Sequence, residues 1–274
     1  MPAGSLASGS GPRYAGRGDS TWPRNPKGNR RTVKILSHLK RICRIRDRHR
    51  RQEFLGDAAL TDTHETNANA EDNSDLPGQG LTREEAFRRM LDGHWRYLMN
   101  ERKSTDTTNE DRQRHVQGQY PFVAILGCAD SRVSPELIFD QRQGDLFVVR
   151  VAGNVAGDFE QASLEYAIEH LGVKLVVVMG HEHCGAVKAA LSYTEMPGAI
   201  GRLLQEIVPA ARNAREMPGD LLGNAVRCNV CRAVDTLMAN SACIRDAVAS
   251  GSVRMIGLVY DLASGDLDFQ RTIG

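Results

Sequence analysis

A chain of 274 residues, 41% hydrophobic and 25% charged, is long enough for one large domain or two small ones and apolar enough to bury a core. No run approaches the roughly 20 apolar residues that cross a bilayer, and no apolar segment of secretory type precedes a cleavage site. The net charge of +1 hides a division, because residues 1–51 carry +12 and the remainder −11.

Residues 1–30 are rich in Gly, Ser, Pro and Arg and are expected to be disordered. From Thr32 to Arg51, Ile35, Leu39 and Ile42 recur at helical spacing among basic residues. This segment is a candidate to contact anionic lipid or nucleic acid, or to act as an organelle-targeting leader, with a solvated basic tail as the plainer reading. Residues 56–80 read as an acidic linker. The expected division is therefore 1–80, leader and linker, and 81–274, the folded domain. The six cysteines are not arranged as a disulfide framework, so a reducing, cytoplasmic setting is expected, with organelle targeting as the alternative.

Thr82 followed by Glu85 is a capping box that opens a helix through about Leu98. Ala86, Met90, Leu91, Trp95 and Leu98 give it an apolar stripe. Strands are expected at 122–127, 146–151, 174–180 and 253–260, with a hairpin partner at 267–271 and helices at 158–171 and 184–193 among others. Strands alternating with helices predict an α/β fold, a mainly parallel central sheet flanked by helices, with an N-terminal helical arm.

Two strand ends carry the chemistry. Val123–Leu126 runs into Gly127-Cys128, and Leu175–Met179 runs into Gly180-His181, with Cys184 three residues on. Parallel strands ending side by side place Cys128, His181 and Cys184 at the carboxyl edge of the sheet, where ligands bind. Two thiolates and an imidazole match a catalytic zinc site with one position open, which predicts a zinc hydrolytic or hydration enzyme. Asp130 and Arg132 alternate along the turn after Cys128, so carboxylate and guanidinium can pair beside the metal and orient water there. Cys228-Asn-Val-Cys231 is a rival metal motif. It lacks a second ligand pair and lies within Asn224–Ala239, which reads as one amphipathic helix, so these cysteines are taken as packing residues.

From about Leu81 onward the chain resembles the β-class carbonic anhydrases, on C-A-D-S-R at 128–132, H-x-x-C-G at 181–185, F-V-V-R-V-A-G-N at 147–154 and S-L-E-Y-A-I-E-H-L at 163–171. The resemblance implies reversible hydration of carbon dioxide to bicarbonate with one zinc per chain. It implies zinc on Cys128, His181 and Cys184, a catalytic dyad of Asp130 and Arg132, and substrate hydrogen bonds from Gln119 and the backbone N–H of Gly185. Phe147, Ala152 and Tyr166 would line an apolar pocket at a subunit interface, in a homodimer or higher homo-oligomer. The rival substrates are carbonyl sulfide and carbon disulfide, and the rival class is a non-catalytic zinc scaffold. The alternative to a water-orienting Asp130 is an inactive state of the same enzyme in which Asp130 itself closes the zinc at low pH.

Overall fold

The structure is a computed structural model that describes residues 80–274 apart from 104–107 and 194. The basic leader, with its lipid, nucleic-acid and targeting readings, lies outside the described residues.

Five strands, β1 (Val123–Cys128), β2 (Leu146–Val151), β3 (Leu175–His181), β4 (Arg254–Tyr260) and β5 (Leu267–Ile273), form one sheet in the order β2-β1-β3-β4-β5. The first four run parallel and β5 closes the far edge antiparallel to β4. Every residue of β1 and β3 is buried, which is why both read as unbroken apolar runs rather than alternating ones. The chain reverses its direction of winding between β1 and β3, so the crevice outside their carboxyl ends is the topological switch point of the fold.

The helices are α1 (Arg83–Leu98), α2 (Asn109–Val116), α3 (Pro135–Ile138), α4 (Asp158–Glu169), α5 (Gly185–Leu191), α6 (Gly198–Ala214), α7 (Leu221–Asn240) and α8 (Ala242–Ala249). The Thr82–Glu85 capping box is formed in both directions. The apolar stripe expected on α1 is rotated, since Ala86, Met90, Gly93 and His94 are buried while Trp95 is 49% exposed. The cause is Gly93: a Cβ there would lie 1.8 Å from the Phe139 carbonyl oxygen, so the helix meets its neighbour backbone to side, glycine inward. His94 beside it places Nδ1 3.1 Å from the Ile138 carbonyl oxygen and turns Trp95 outward.

A close approach of the same kind seats α7 on the sheet. Cβ atoms built at Gly180 of β3 and Gly257 of β4 would lie 2.5 and 2.9 Å from the two methyls of Val230. One valine thus occupies the space over two glycines, and α7 lies against the strands that end at the site.

Candidate metal centre

Cys128 is the last residue of β1, His181 the last of β3, and Cys184 the N-cap of α5. They are 4%, 1% and 2% exposed. Their ligand atoms lie within 4.8 Å of one another, and no other such cluster of His, Cys, Asp and Glu occurs among the described residues. The two sulfur atoms are 4.0 Å apart, near the ~3.8 Å that two Zn–S bonds of ~2.3 Å span at a tetrahedral centre.

His181 Nδ1 lies 2.9 Å from the Glu182 carbonyl oxygen. A carbonyl only accepts, so Nδ1 carries the proton and Nε2 presents a lone pair. That Nε2 is buried with no hydrogen-bond partner. A buried polar atom left alone is costly, and one facing two thiols has its partner in a soft divalent cation.

Cys128 Sγ is in hydrogen-bond contact with the Cys184 thiol and accepts the Gly153 N–H at 3.3 Å. The Cys184 contact, aided by His181 and the Gly153 amide against the effect of burial, pulls the Cys128 thiol below its ordinary value. Contact with Cys128, together with burial, pushes the Cys184 thiol up.

Asp130 sits at the rim, its Oδ2 3.9 Å from His181 Nε2. Oδ1 accepts from the Arg132 backbone N–H at 3.0 Å and from Nε at 2.9 Å, and Oδ2 accepts from Nη2 at 2.7 Å. The Arg132 side chain, helped by its backbone N–H, holds the Asp130 carboxyl well below the usual carboxylate range despite partial burial. At neutral pH Asp130 is therefore an acceptor only. Arg132 Nη2 also reaches the His183 carbonyl at 3.5 Å, joining the two motifs. His183 itself is exposed, with a left-handed φ of 54°.

Of the remaining expected residues, two lie beside the cluster. Ala152 follows Val151, the register partner of Cys128, and Gly185 opens α5 with nothing within 4 Å of where a Cβ would stand. Three do not. Phe147 pairs with Ala124 near the amino end of β1, about 13 Å back along the strand at ~3.3 Å per residue. Tyr166 accompanies it, ring centroids 6.3 Å apart, and Gln119 lies exposed ahead of β1. Within one chain these three are remote from the metal ligands.

Sequence reasoning missed two residues that hold the site. Arg150 on β2 donates Nε to the Cys128 carbonyl at 2.8 Å and Nη2 to the Asp130 carbonyl at 2.5 Å. Its signal is visible afterwards as the one charged residue in the strand Leu-Phe-Val-Val-Arg-Val. Asn229 on α7 donates to the Gly153 carbonyl at 2.7 Å, steadying the turn whose amide reaches Cys128. Asn229 lies between Cys228 and Cys231, so the rival motif serves the centre through its asparagine. Its cysteines are half-buried, and Cys228 packs on Met217 with Sγ 3.6 Å from Sδ.

A sheet of this topology with Cys, His and Cys at its switch point defines a zinc enzyme of the α/β class. The family described as carbonic anhydrase matches residues 123–267. Carbonic anhydrase 2 of Mycobacterium tuberculosis is 35% identical over 193 residues, covering 69% of this chain and 93% of that protein. The carbonic anhydrase of Mycolicibacterium smegmatis is 34% identical over the same length, covering 69% and 94%. Among solved structures, the Coccomyxa β-carbonic anhydrase in complex with acetazolamide is similar with a TM-score of 0.54 and 31% identity, covering 59% of this chain and 77% of that one. The chain belongs to the β-carbonic anhydrase family and is a carbonate dehydratase with zinc as its cofactor. Among the described residues no helix is long and apolar enough to cross a membrane.

Proposed function

We propose that the chain catalyses the reversible hydration of carbon dioxide to bicarbonate and a proton, with one zinc held by Cys128, His181 and Cys184 and with Asp130 and Arg132 as the dyad. The observation that carries this reading is the buried, unpartnered Nε2 of His181, facing two thiols and a carboxylate at 3.9 Å. The donor set fits zinc: three ligands of the right softness, close together, leave a fourth position open. Zinc, when bound, supplies a Lewis acid that lowers the pKa of water toward neutrality.

The chain's own residues supply orientation. Asp130, kept ionised by Arg132, can only accept a hydrogen bond, so it fixes the direction of the attacking oxygen's O–H and turns a lone pair toward carbon. The Gly185 N–H, next to the ligand Cys184 at the start of α5, is suited to an oxygen that gains charge as bicarbonate forms. Gln119 adds a second donor, and Phe147, Ala152 and Tyr166 exclude water from the apolar substrate.

Gln119, Phe147 and Tyr166 serve a partner's metal centre in a homodimer. Their distance from their own chain's ligands supports this, as do the half-buried apolar edge strand β2 and the exposure of Phe159 (86%) and Tyr166 (46%) beside it. Stopped-flow carbon dioxide hydration with zinc quantified on the same sample tests the reading. Zinc-loaded protein without hydration activity would overturn it.

A further inference from the structure

The turn that presents Asp130 is short of backbone partners. Pairing of β1 with β3 ends at Gly127 and Met179. Beyond it, the Ala129 N–H reaches the Val151 carbonyl at 3.2 Å and the Val133 N–H reaches the Asp130 carbonyl at 3.2 Å. The Asp130–Arg132 pair cannot by itself set where the carboxylate stands, because Arg132 is 52% exposed along its side chain and lies on the same turn. Two groups on one turn fix each other's orientation, and their tie to the second ligand loop is the long 3.5 Å contact of Arg132 Nη2 with the His183 carbonyl.

Arg150 supplies the missing anchor. It lies on β2 in register with Gly127, one residue before the partner of Cys128. Its planar guanidinium directs Nε to the Cys128 carbonyl and Nη2 to the Asp130 carbonyl. The two carbonyls flank Ala129, so the fork spans the start of the turn from the ligand to the dyad. No carboxylate pairs with Arg150 among the described residues. Arg150 is itself exposed, and its guanidinium donates to these two carbonyls; hydrogen bonds from an ionised donor are shorter and stronger than neutral ones.

We infer that Arg150 is a positioning residue for the hydration reaction, a clamp from β2 that sets the distance and direction of the Asp130 carboxylate relative to the metal ligands. A lysine could not replace it, because an ammonium is a point donor on a flexible stem and lacks the fork that reaches two carbonyls at once. The inference rests on the proposed role of Asp130 in the dyad.

The test is a double-mutant cycle on the full-length zinc enzyme with Arg150→Gln, Arg150→Lys, Asp130→Asn and the double variant Arg150→Gln/Asp130→Asn. Readouts are kcat and KM for carbon dioxide hydration, zinc content, and the rate of zinc release to a chelator. In Arg150→Gln, kcat should fall about 10–100-fold, the range for a residue acting through another at a metal site. KM should change little, zinc content should stay near one per chain, and release should stay within about twofold of wild type, since Cys128 is still held by the β1–β2 register and the Gly153 N–H. Arg150→Lys should recover only part of kcat. In the Asp130→Asn background the Arg150→Gln change should cost less than about twofold, because it acts through a group already lost.

Wild-type kcat in Arg150→Gln or Arg150→Lys would overturn the clamp. So would losses that multiply in the double variant, or zinc lost in parallel with activity, which would mark a general structural role. If Arg150→Gln does not fold, Arg150→Lys decides by the same criteria. Undiminished kcat in Asp130→Asn itself would instead remove the dyad reading on which the clamp depends, so the two failures are distinguishable.

Discussion

His181 Nε2 is the atom whose situation demands a metal: it is buried, its tautomer is set by the Glu182 carbonyl, and no protein group meets its lone pair. Replacing Cys128, His181 or Cys184 with Ala should therefore abolish stoichiometric zinc. Cys228→Ala and Cys231→Ala should retain it, since neither belongs to the cluster. Metal analysis of the purified variants checks both halves. Asp130 has a folded-state carboxyl pKa depressed by Arg132, so the pair's contribution is fully present above the unfolded value of about 4 and is lost only as pH falls through the lower folded one. Asp130 is thus ionised throughout the working range, and any acidic limb of activity there has another source. Asp130→Asn should keep zinc and lower kcat about 10–100-fold at every pH from about 6 to 9. A variant that gains activity toward low pH would mean that Asp130 closes the metal instead.

At the scale of elements, close approaches between backbones decide how the site is held. Gly93→Ala would drive a methyl into the Phe139 carbonyl, an atom on backbone that cannot swing aside. It should destabilise the protein by about 1–3 kcal/mol, as overpacking does, read as a lower urea midpoint at unchanged slope. Asn229→Ala removes the donor to the Gly153 carbonyl. A cost of about 1–3 kcal/mol is expected for an acceptor left buried, with zinc retained because all three ligands remain; loss of zinc in a folded Asn229→Ala would show that the 152–154 turn is itself required for binding. The capped helix Arg83–Leu98 and the buried strands could be read in advance. Helix α2 could not: Asn-Glu-Asp-Arg-Gln-Arg-His-Val buries nothing and leaves no periodicity to detect. Its one local signal is the capping box of Thr108 and Asp111, formed in both directions.

For the whole molecule, the proposed homodimer, in which Gln119 serves the partner's metal centre, makes a prediction about assembly. Asp130→Asn and Gln119→Ala homodimers should each be impaired. Subunits exchanged at equal concentration should recover about a quarter of wild-type activity, because half the dimers are mixed and each has one intact site in a two-fold arrangement. No recovery, with exchange verified by mass, would place Gln119 in its own chain's site. Truncation of residues 1–78 should leave zinc content, dimerisation and hydration largely unchanged, because that composition builds no core. An inactive but zinc-loaded truncation would move the domain boundary into the leader.

The Cys128–His181–Cys184 cluster and the Asp130–Arg132 pair were legible in the sequence because their parts are local: a buried run of β-branched residues ends in Cys128 and another in His181, and one turn carries both Asp130 and Arg132. The fold class was legible for a related reason, since the alternation of strands and helices leaves a parallel sheet as the way to bury Val123–Leu126 and Leu175–Met179 on both faces. Only the tertiary structure could bring Arg150 to the Cys128 and Asp130 carbonyls, Asn229 to Gly153 and the glycines under Val230. Those contacts depend on strand register and on how closely a helix approaches a sheet. Both are fixed by side chains distant in the chain, and no local pattern records which residue will stand opposite which.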